Sequence, residues 1–126
     1  MTLNIKEYRG KTIVVTGGAG AIGSFLVRKL IDASVKSIIL IDNLSSGNSN
    51  FIPEDSAIEF VHVSIENKEK LLKAIPENTD YIFHLAAHFA NQNSVDFPVS
   101  DTLTNVVGTI NLLEIAKNLG IKKFVN

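Results

Sequence analysis

The chain reads as an α/β protein, a doubly wound sheet of parallel strands with helices on both faces, and three observations carry that reading. The β-branched run Thr12-Ile13-Val14-Val15 leads into four glycines within the seven residues from Gly17 to Gly23, after which the residues adopt helical spacing. Apolar runs of strand length go on alternating with helical segments to the last residues, the pattern of repeated strand and helix units. The runs 12–16 and 37–41 are nearly continuous in apolar character, as parallel strands covered on both faces must be.

Taken in order, residues 1 to 11 form a polar lead-in expected to lie against the sheet edge. The first strand is expected at Thr12–Thr16 and the first helix at Ala21–Ala33, with Ile22, Leu26, Leu30 and Ala33 at helical spacing. Ser37–Ile41 is the second strand and ends on Asp42. Residues 43 to 56 carry Ser45, Ser46, Gly47, Asn48, Ser49, Asn50 and Pro53, a turn-rich loop with room for one irregular helical turn. Ile58–Val63 is the third strand. Asn67 caps a short helix bearing Leu71, Leu72 and Ile75, which Pro76 ends.

Tyr81–Leu85 is the fourth strand and residues 86 to 97 a loop. Pro98 opens a long helix whose expected buried stripe is Leu103, Val106, Val107, Ile110, Leu113 and Ala116, and Gly120 ends it. Lys122–Val125 begins a fifth strand. Right-handed crossovers give these strands the order 3-2-1-4-5, with a ligand crevice at their carboxyl ends.

The glycine cluster has a physical purpose beyond turning the chain. Gly17 supports backbone angles that a side chain forbids, Gly20 lets a ligand approach the main chain, and Gly23 lets the helix press on the strand beside it. What results is a bare helix N-terminus whose unpaired amides and dipole favour an anion, a pyrophosphate above all. Asp42, at the tip of the second strand and about 20 residues beyond the last glycine, stands where a ribose hydroxyl pair is held.

Composition narrows the classes. The 126 residues suit one domain, and the 45% apolar content suits a packed α/β core. A net charge of −1 with no basic run gives no electrostatic case for nucleic acid or an anionic membrane. The absence of cysteine excludes disulfides and thiol chemistry. Charged residues near the N-terminus and the lack of any apolar run of spanning length make a cytoplasmic protein the expectation, with no membrane partner. His84 and His88 are four apart but flank a strand end without a third ligand, so no metal site is expected.

Four motifs in order resemble those of the extended short-chain dehydrogenases: Thr16-Gly-Gly-Ala-Gly-Ala-Ile-Gly23, Asp42-Asn-Leu-Ser-Ser-Gly47, His84-Leu-Ala-Ala87 and Asn105-Val-Val-Gly-Thr-Ile-Asn-Leu-Leu-Glu114. Within that family the chain is most similar to the NAD-dependent nucleotide-sugar epimerases and dehydratases, along essentially its whole length. The resemblance implies a Rossmann-type fold with NAD as cofactor and a nucleotide sugar as the partner of the full-length enzyme. Gly17, Gly20, Ala21 and Ile22 would line the pyrophosphate, and Asp42 would hold the adenosine ribose, with Asn43, Leu44, Ser46 and Gly47 near the adenine. Leu85, Ala86, Ala87 and His88 would border the nicotinamide ribose, and Asn105 would project from the long helix toward the cofactor. The family's Asp-Ile pair after the third strand is here Ser64-Ile65, so adenine would meet a neutral hydroxyl in place of a carboxylate.

NAD is expected over NADP, because a 2'-phosphate beside Asp42 would meet like-charge repulsion of about 1 kcal/mol at 4 Å in water, rising to about 4 at an effective dielectric near 20. The family's chemistry also requires a Tyr-x-x-x-Lys pair beyond the fifth strand. Neither Tyr8 nor Tyr81 has a lysine four residues on, so no catalytic residue is assigned and the chain is expected to be the inactive N-terminal cofactor half of a longer enzyme. An uncovered fifth strand and long helix would favour a homo-oligomer. Two other classes compete: a non-catalytic NAD-binding sensor or scaffold, and a methyltransferase using S-adenosylmethionine, for which the glycine spacing is less suited.

Overall fold

A computed structural model describes residues 5–89 and 91–126. Residues 1–4 of the expected lead-in and Ala90 of the expected loop lie outside the described residues. β1 (Thr12–Thr16) is buried at every position, because it runs between β2 (Ser37–Asp42) and β4 (Tyr81–His84) with helices over both faces. β3 (Ile58–His62) pairs with β2 and β5 (Lys123–Val125) with β4, all parallel, in the order β3-β2-β1-β4-β5. This is the expected doubly wound sheet.

Alternate side chains go to opposite faces of a strand, so the sheet divides the core in two. On one face Val14, Ile39, Ile41 and Ile82 meet Leu71 of α2 (Lys68–Ala74) and Leu112 and Ile115 of α5 (Thr109–Leu119). On the other, Ile13, Val15, Ile38 and Leu40 meet Val27 and Leu30 of α1 (Ala21–Asp32). Asn67 caps α2 by accepting from the Lys70 amide, and Gly120 closes α5 with φ of 63°, both as expected. One short 3-10 turn, Ser49–Phe51, interrupts the loop after β2.

Several details differ from the sequence reading. The described part of the lead-in, residues 5–11, does not lie on the sheet edge: a 3-10 turn, Ile5–Tyr8, sets the Tyr8 ring edge-on against Tyr81 and Phe83 of the inner strand β4, where burying an aromatic ring gains more. Ile22 is 75% exposed at the mouth of α1, whose buried face is Gly23, Ser24, Val27 and Leu30. Within the expected loop 86–97 a helix, α3 (Asn91–Asp96), forms, supported by a Gln92 to Asp96 side-chain bond of 2.9 Å across one turn.

The largest correction concerns the long helix. α4 (Pro98–Thr102) continues without a break through a π-wound stretch, Leu103–Gly108, into α5, all with right-handed helical angles at the junctions. Its stripe of Leu103, Val106, Val107, Ile110 and Leu113 is exposed, and of the expected six only Ala116 is buried. Thr104, Gly108, Asn111, Leu112 and Ile115 face the core instead. Polar side chains reach that face because each has a partner: the Asn111 amide donates to the carbonyls of Ile65 and Glu66 at 3.0 and 3.2 Å. Hydrophobicity alone selected the wrong face. Among the described residues no helix is long and apolar enough to cross a membrane.

Candidate functional site

The carboxyl ends of β1, β2 and β4 open onto one cleft, and on the β1 side its surface is main chain. The Gly17 amide donates to Ile41 O at 2.8 Å, turning the chain out of β1 with φ of 70°. A Cβ on Gly17 would stand 2.7 Å from the Ala86 nitrogen, and one on Gly23 would stand 2.1 Å from Gly17 O, so the turn, α1 and the exit of β4 touch backbone to backbone. Gly20 sits at the N-cap of α1 in extended conformation and no side chain caps the helix. The first turn of α1 also holds no acidic residue, so its positive end remains uncompensated locally.

Asp42 faces this turn from β2 and is only 8% exposed. Its Oδ2 accepts from the Ala19 amide at 3.0 Å and its Oδ1 from the Leu44 amide at 2.8 Å. A carboxylate offers about four acceptor positions, so these two bonds fix its orientation and leave capacity for ligand hydroxyls. The second bond is an Asx turn that holds Leu44 at φ of 57°. Asn48 closes the loop onto the glycine turn, its amide donating to Ala19 O at 3.0 Å.

The facing wall leaves the end of β4. Asn105, on the π-wound stretch, grips it twice: Oδ1 accepts from the His88 amide at 2.8 Å and Nδ2 donates to His88 O at 3.0 Å. Nδ2 also donates to Asp101 Oδ1 at 3.1 Å. Beside it the buried Thr104 hydroxyl donates to Glu66 Oε1 at 2.5 Å, with His88 Nε2 at 3.5 Å.

Of the residues singled out from sequence, Gly17, Gly20, Asp42, Asn43, Ser46 and Gly47 line the cleft on the side of β1 and β2, and Ile65 lines it beyond them. Leu85, Ala86, Ala87 and His88 line the opposite wall. Ala21, Ile22, Leu44, Ser64 and Asn105 do not line it: the first two sit in the first turn of α1, Leu44 supplies an amide to Asp42, and Asn105 holds the wall from behind. Ser64 borders a separate groove with Asn67 and Glu69, and its hydroxyl receives the Glu66 amide at 3.4 Å. Ile41, Ser45, Val63 and Thr104 also line the cleft and were not anticipated. Ile41 and Val63 could have been found as the last apolar residues of their strands; nothing in the sequence marks Thr104. Among the described residues no three His, Asp or Glu side chains gather as metal ligands.

Residues 13–126 match the profile of the NAD dependent epimerase/dehydratase family. A putative UDP-glucose 4-epimerase of Methanocaldococcus jannaschii is 42% identical over 113 residues, which is 90% of this chain and 36% of that protein. The structure of epimerase Mth375 from Methanothermobacter thermautotrophicus superposes with a TM-score of 0.90 at 48% identity, covering 95% of this chain and 35% of that one. The Bordetella bronchiseptica enzyme WbmF, solved in complex with NAD+, gives a TM-score of 0.85 at 32% identity over 93% of this chain and 35% of its own. The chain thus spans just over a third of the length of the relatives it matches. With a family profile covering nearly every residue and a shared sheet order, the chain belongs to the NAD dependent epimerase/dehydratase family.

Proposed function

We propose that the cleft holds NAD, and that the chain is the cofactor-holding part of an enzyme that oxidises and re-reduces a ring carbon of a nucleotide sugar. The observation that carries this is the uncapped start of α1 lying beside the buried Asp42 carboxylate on one wall of the cleft. The residues fit the group. Gly17 and Gly20 leave the amides of Ala21 and Ile22 approachable by a pyrophosphate, and Asp42 has acceptor capacity for ribose hydroxyls. No lysine or arginine lines the cleft among the described residues, so nothing there would neutralise a 2'-phosphate.

Asn43, Leu44, Ser46, Gly47 and Ile65 would border the adenine, with the Ser64 hydroxyl engaged by a neighbouring amide. Leu85, Ala86, Ala87 and His88, held by Asn105, would orient the nicotinamide half and shield it from water. The bound nicotinamide would supply hydride acceptance and return. That relatives are named UDP-glucose 4-epimerases supports the nucleotide sugar. The exposed apolar stripe of the long helix supports self-association.

Tyr81 opens β4, at the end away from the cleft, and Tyr8 packs on it with ring centroids 5.4 Å apart, so neither tyrosine serves the site. Calorimetric titration with NAD and NADP tests the cofactor, and tighter NAD binding by about one to three decades is expected. Equal or tighter NADP binding would remove Asp42 from its role. Incubation with UDP-glucose and NAD tests activity, and no conversion by this chain alone is expected.

A further inference from the structure

His84 ends β4 and is buried, yet both of its ring nitrogens meet hydroxyls: Nδ1 lies 2.7 Å from Thr16 Oγ1 and Nε2 lies 2.9 Å from Thr109 Oγ1. Counting hydrogens assigns the tautomer. The Thr109 hydroxyl has one hydrogen and donates it to Asn105 O at 2.8 Å, so toward Nε2 it can only accept. Nε2 therefore carries the imidazole hydrogen, Nδ1 is the bare acceptor, and the Thr16 hydroxyl donates to it. Thr16 Oγ1 in turn accepts from the Ala86 amide at 3.2 Å.

The bonds run in one direction, from the Ala86 amide to Thr16, from Thr16 to His84, from His84 to Thr109 and from Thr109 to the Asn105 carbonyl. Each hydrogen is used once, and among the described residues no buried side-chain nitrogen or oxygen is left unpaired. The two ends of this chain matter. Ala86 belongs to the cleft wall, and Asn105 is the residue whose side chain grips the His88 backbone. The Thr109 bond to the carbonyl four residues back spans the π-wound stretch, where helices depart from regular winding most often at functional sites.

We propose that His84 is a positioning residue: protonated on Nε2 alone, it locks the exit of β4 to the π-wound turn of the long helix and so holds the nicotinamide-side wall in its binding geometry. This rests on the cofactor reading above. The groups that β1, α5 and β5 set against the ring are Thr16, Thr109 and Phe124, none of which titrates between pH 5 and 8. Further out, His88 and Asp101 join the network through Asn105. Burial holds the His84 pKa below the ordinary histidine value, which keeps the neutral ring in place at neutral pH.

Nitrogen-15 spectra of the histidine rings, taken with NAD titrations of the wild-type chain, Thr109→Val and Thr109→Ser, test this. The wild-type His84 ring should be protonated on Nε2 alone at pH 7. Thr109→Val, which keeps the shape and removes the acceptor, should depopulate that tautomer and weaken NAD binding about three- to tenfold. Thr109→Ser should restore both. A wild-type His84 found charged or protonated on Nδ1 at pH 7 would overturn the inference, whatever the variants do. Equal NAD affinity in the wild type and Thr109→Val would overturn it alone, whereas no NAD binding by the wild type would remove the cofactor reading and this inference together.

Discussion

The wall of the cleft formed by the glycine turn and β2 is made chiefly of backbone, whereas the wall formed by the exit of β4 and the long helix is made of side-chain hydrogen bonds between residues far apart in sequence. On the first wall a missing Cβ at Gly17 and Gly23 lets main chain touch main chain. On the second, Thr16 and His84 are 68 residues apart, Thr104 and Glu66 are 38 apart, and His88 and Asn105 are 17 apart. The difference teaches how each wall fails. Steric contact between backbones has no room to relax, while a hydrogen-bond network gives way one bond at a time, at about 1 kcal/mol each.

The sharpest way to break the comparison is on the backbone wall. Gly23→Ala places a methyl carbon 2.1 Å from Gly17 O, a contact that no rotamer change relieves. The expected loss of stability is about 3 kcal/mol or more, read as a fall in the urea midpoint, together with loss of NAD binding. A variant that melts like the wild type would mean that α1 shifts freely against β1, and the two walls would no longer differ in kind.

Asp42→Ala comes next. It removes the acceptor of two amides, Ala19 and Leu44, on a residue that is nearly buried, at a cost of about 1–3 kcal/mol in stability. NAD binding should weaken by about 10- to 100-fold as a charged hydrogen-bond partner is lost, and the preference over NADP should narrow. Calorimetry with both cofactors checks this; an unchanged ratio would show that the carboxylate serves the loop and not the ribose.

The two walls also differ in how much of them the sequence discloses. The glycine turn, Asp42 and the order of the strands are legible because they depend on local spacing: strand, glycine, helix, strand, acid. The resemblance of His84-Leu-Ala-Ala87 to the family motif places Leu85 to His88 on the cleft, and they do line it. The pairings that hold them were not legible, since nothing local tells Thr16 to face His84 or Thr104 to face Glu66. The long helix shows the same limit. Apolarity assigns its exposed Leu103, Val106 and Ile110 to the core, whereas Thr104 and Asn111 are buried because distant partners, Glu66 and the Ile65 carbonyl, receive them.

On the side-chain wall the gentlest general perturbation is acid. Burial lowers the His84 pKa, so in the folded chain the ring resists a proton that the unfolded chain accepts below about 6.5. Stability is therefore complete above that value and declines as pH falls toward the folded pKa, because the unfolded state then binds more protons. Asp80 adds nothing in this window. Burial raises its pKa, but the hydrogen bonds from Lys122 and the Thr12 amide outweigh that and lower it below 3.8, so the stability it contributes is lost only at more acid pH. Urea midpoints at pH 7.5 and pH 5 should fall on acidification in the wild type and fall less in His84→Gln. An equal fall in both would place the titrating group elsewhere.

The smallest effect is expected where the backbone wall borrows a side chain. Leu44 holds φ of 57° without being glycine, a conformation that costs a branched or bulky residue free energy, and the Asp42 carboxylate holds it there through the Leu44 amide. Leu44→Gly removes that strain but adds freedom to the unfolded chain, and the two effects oppose one another at roughly 0.5–1 kcal/mol each. Stability should change by less than about 0.5 kcal/mol, whereas Leu44→Val, β-branched at a positive φ, should cost at least about 1 kcal/mol. If Leu44→Gly proved as damaging as Leu44→Val, the turn would be held by packing of the leucine side chain, and this part of the backbone wall would behave like the wall it faces.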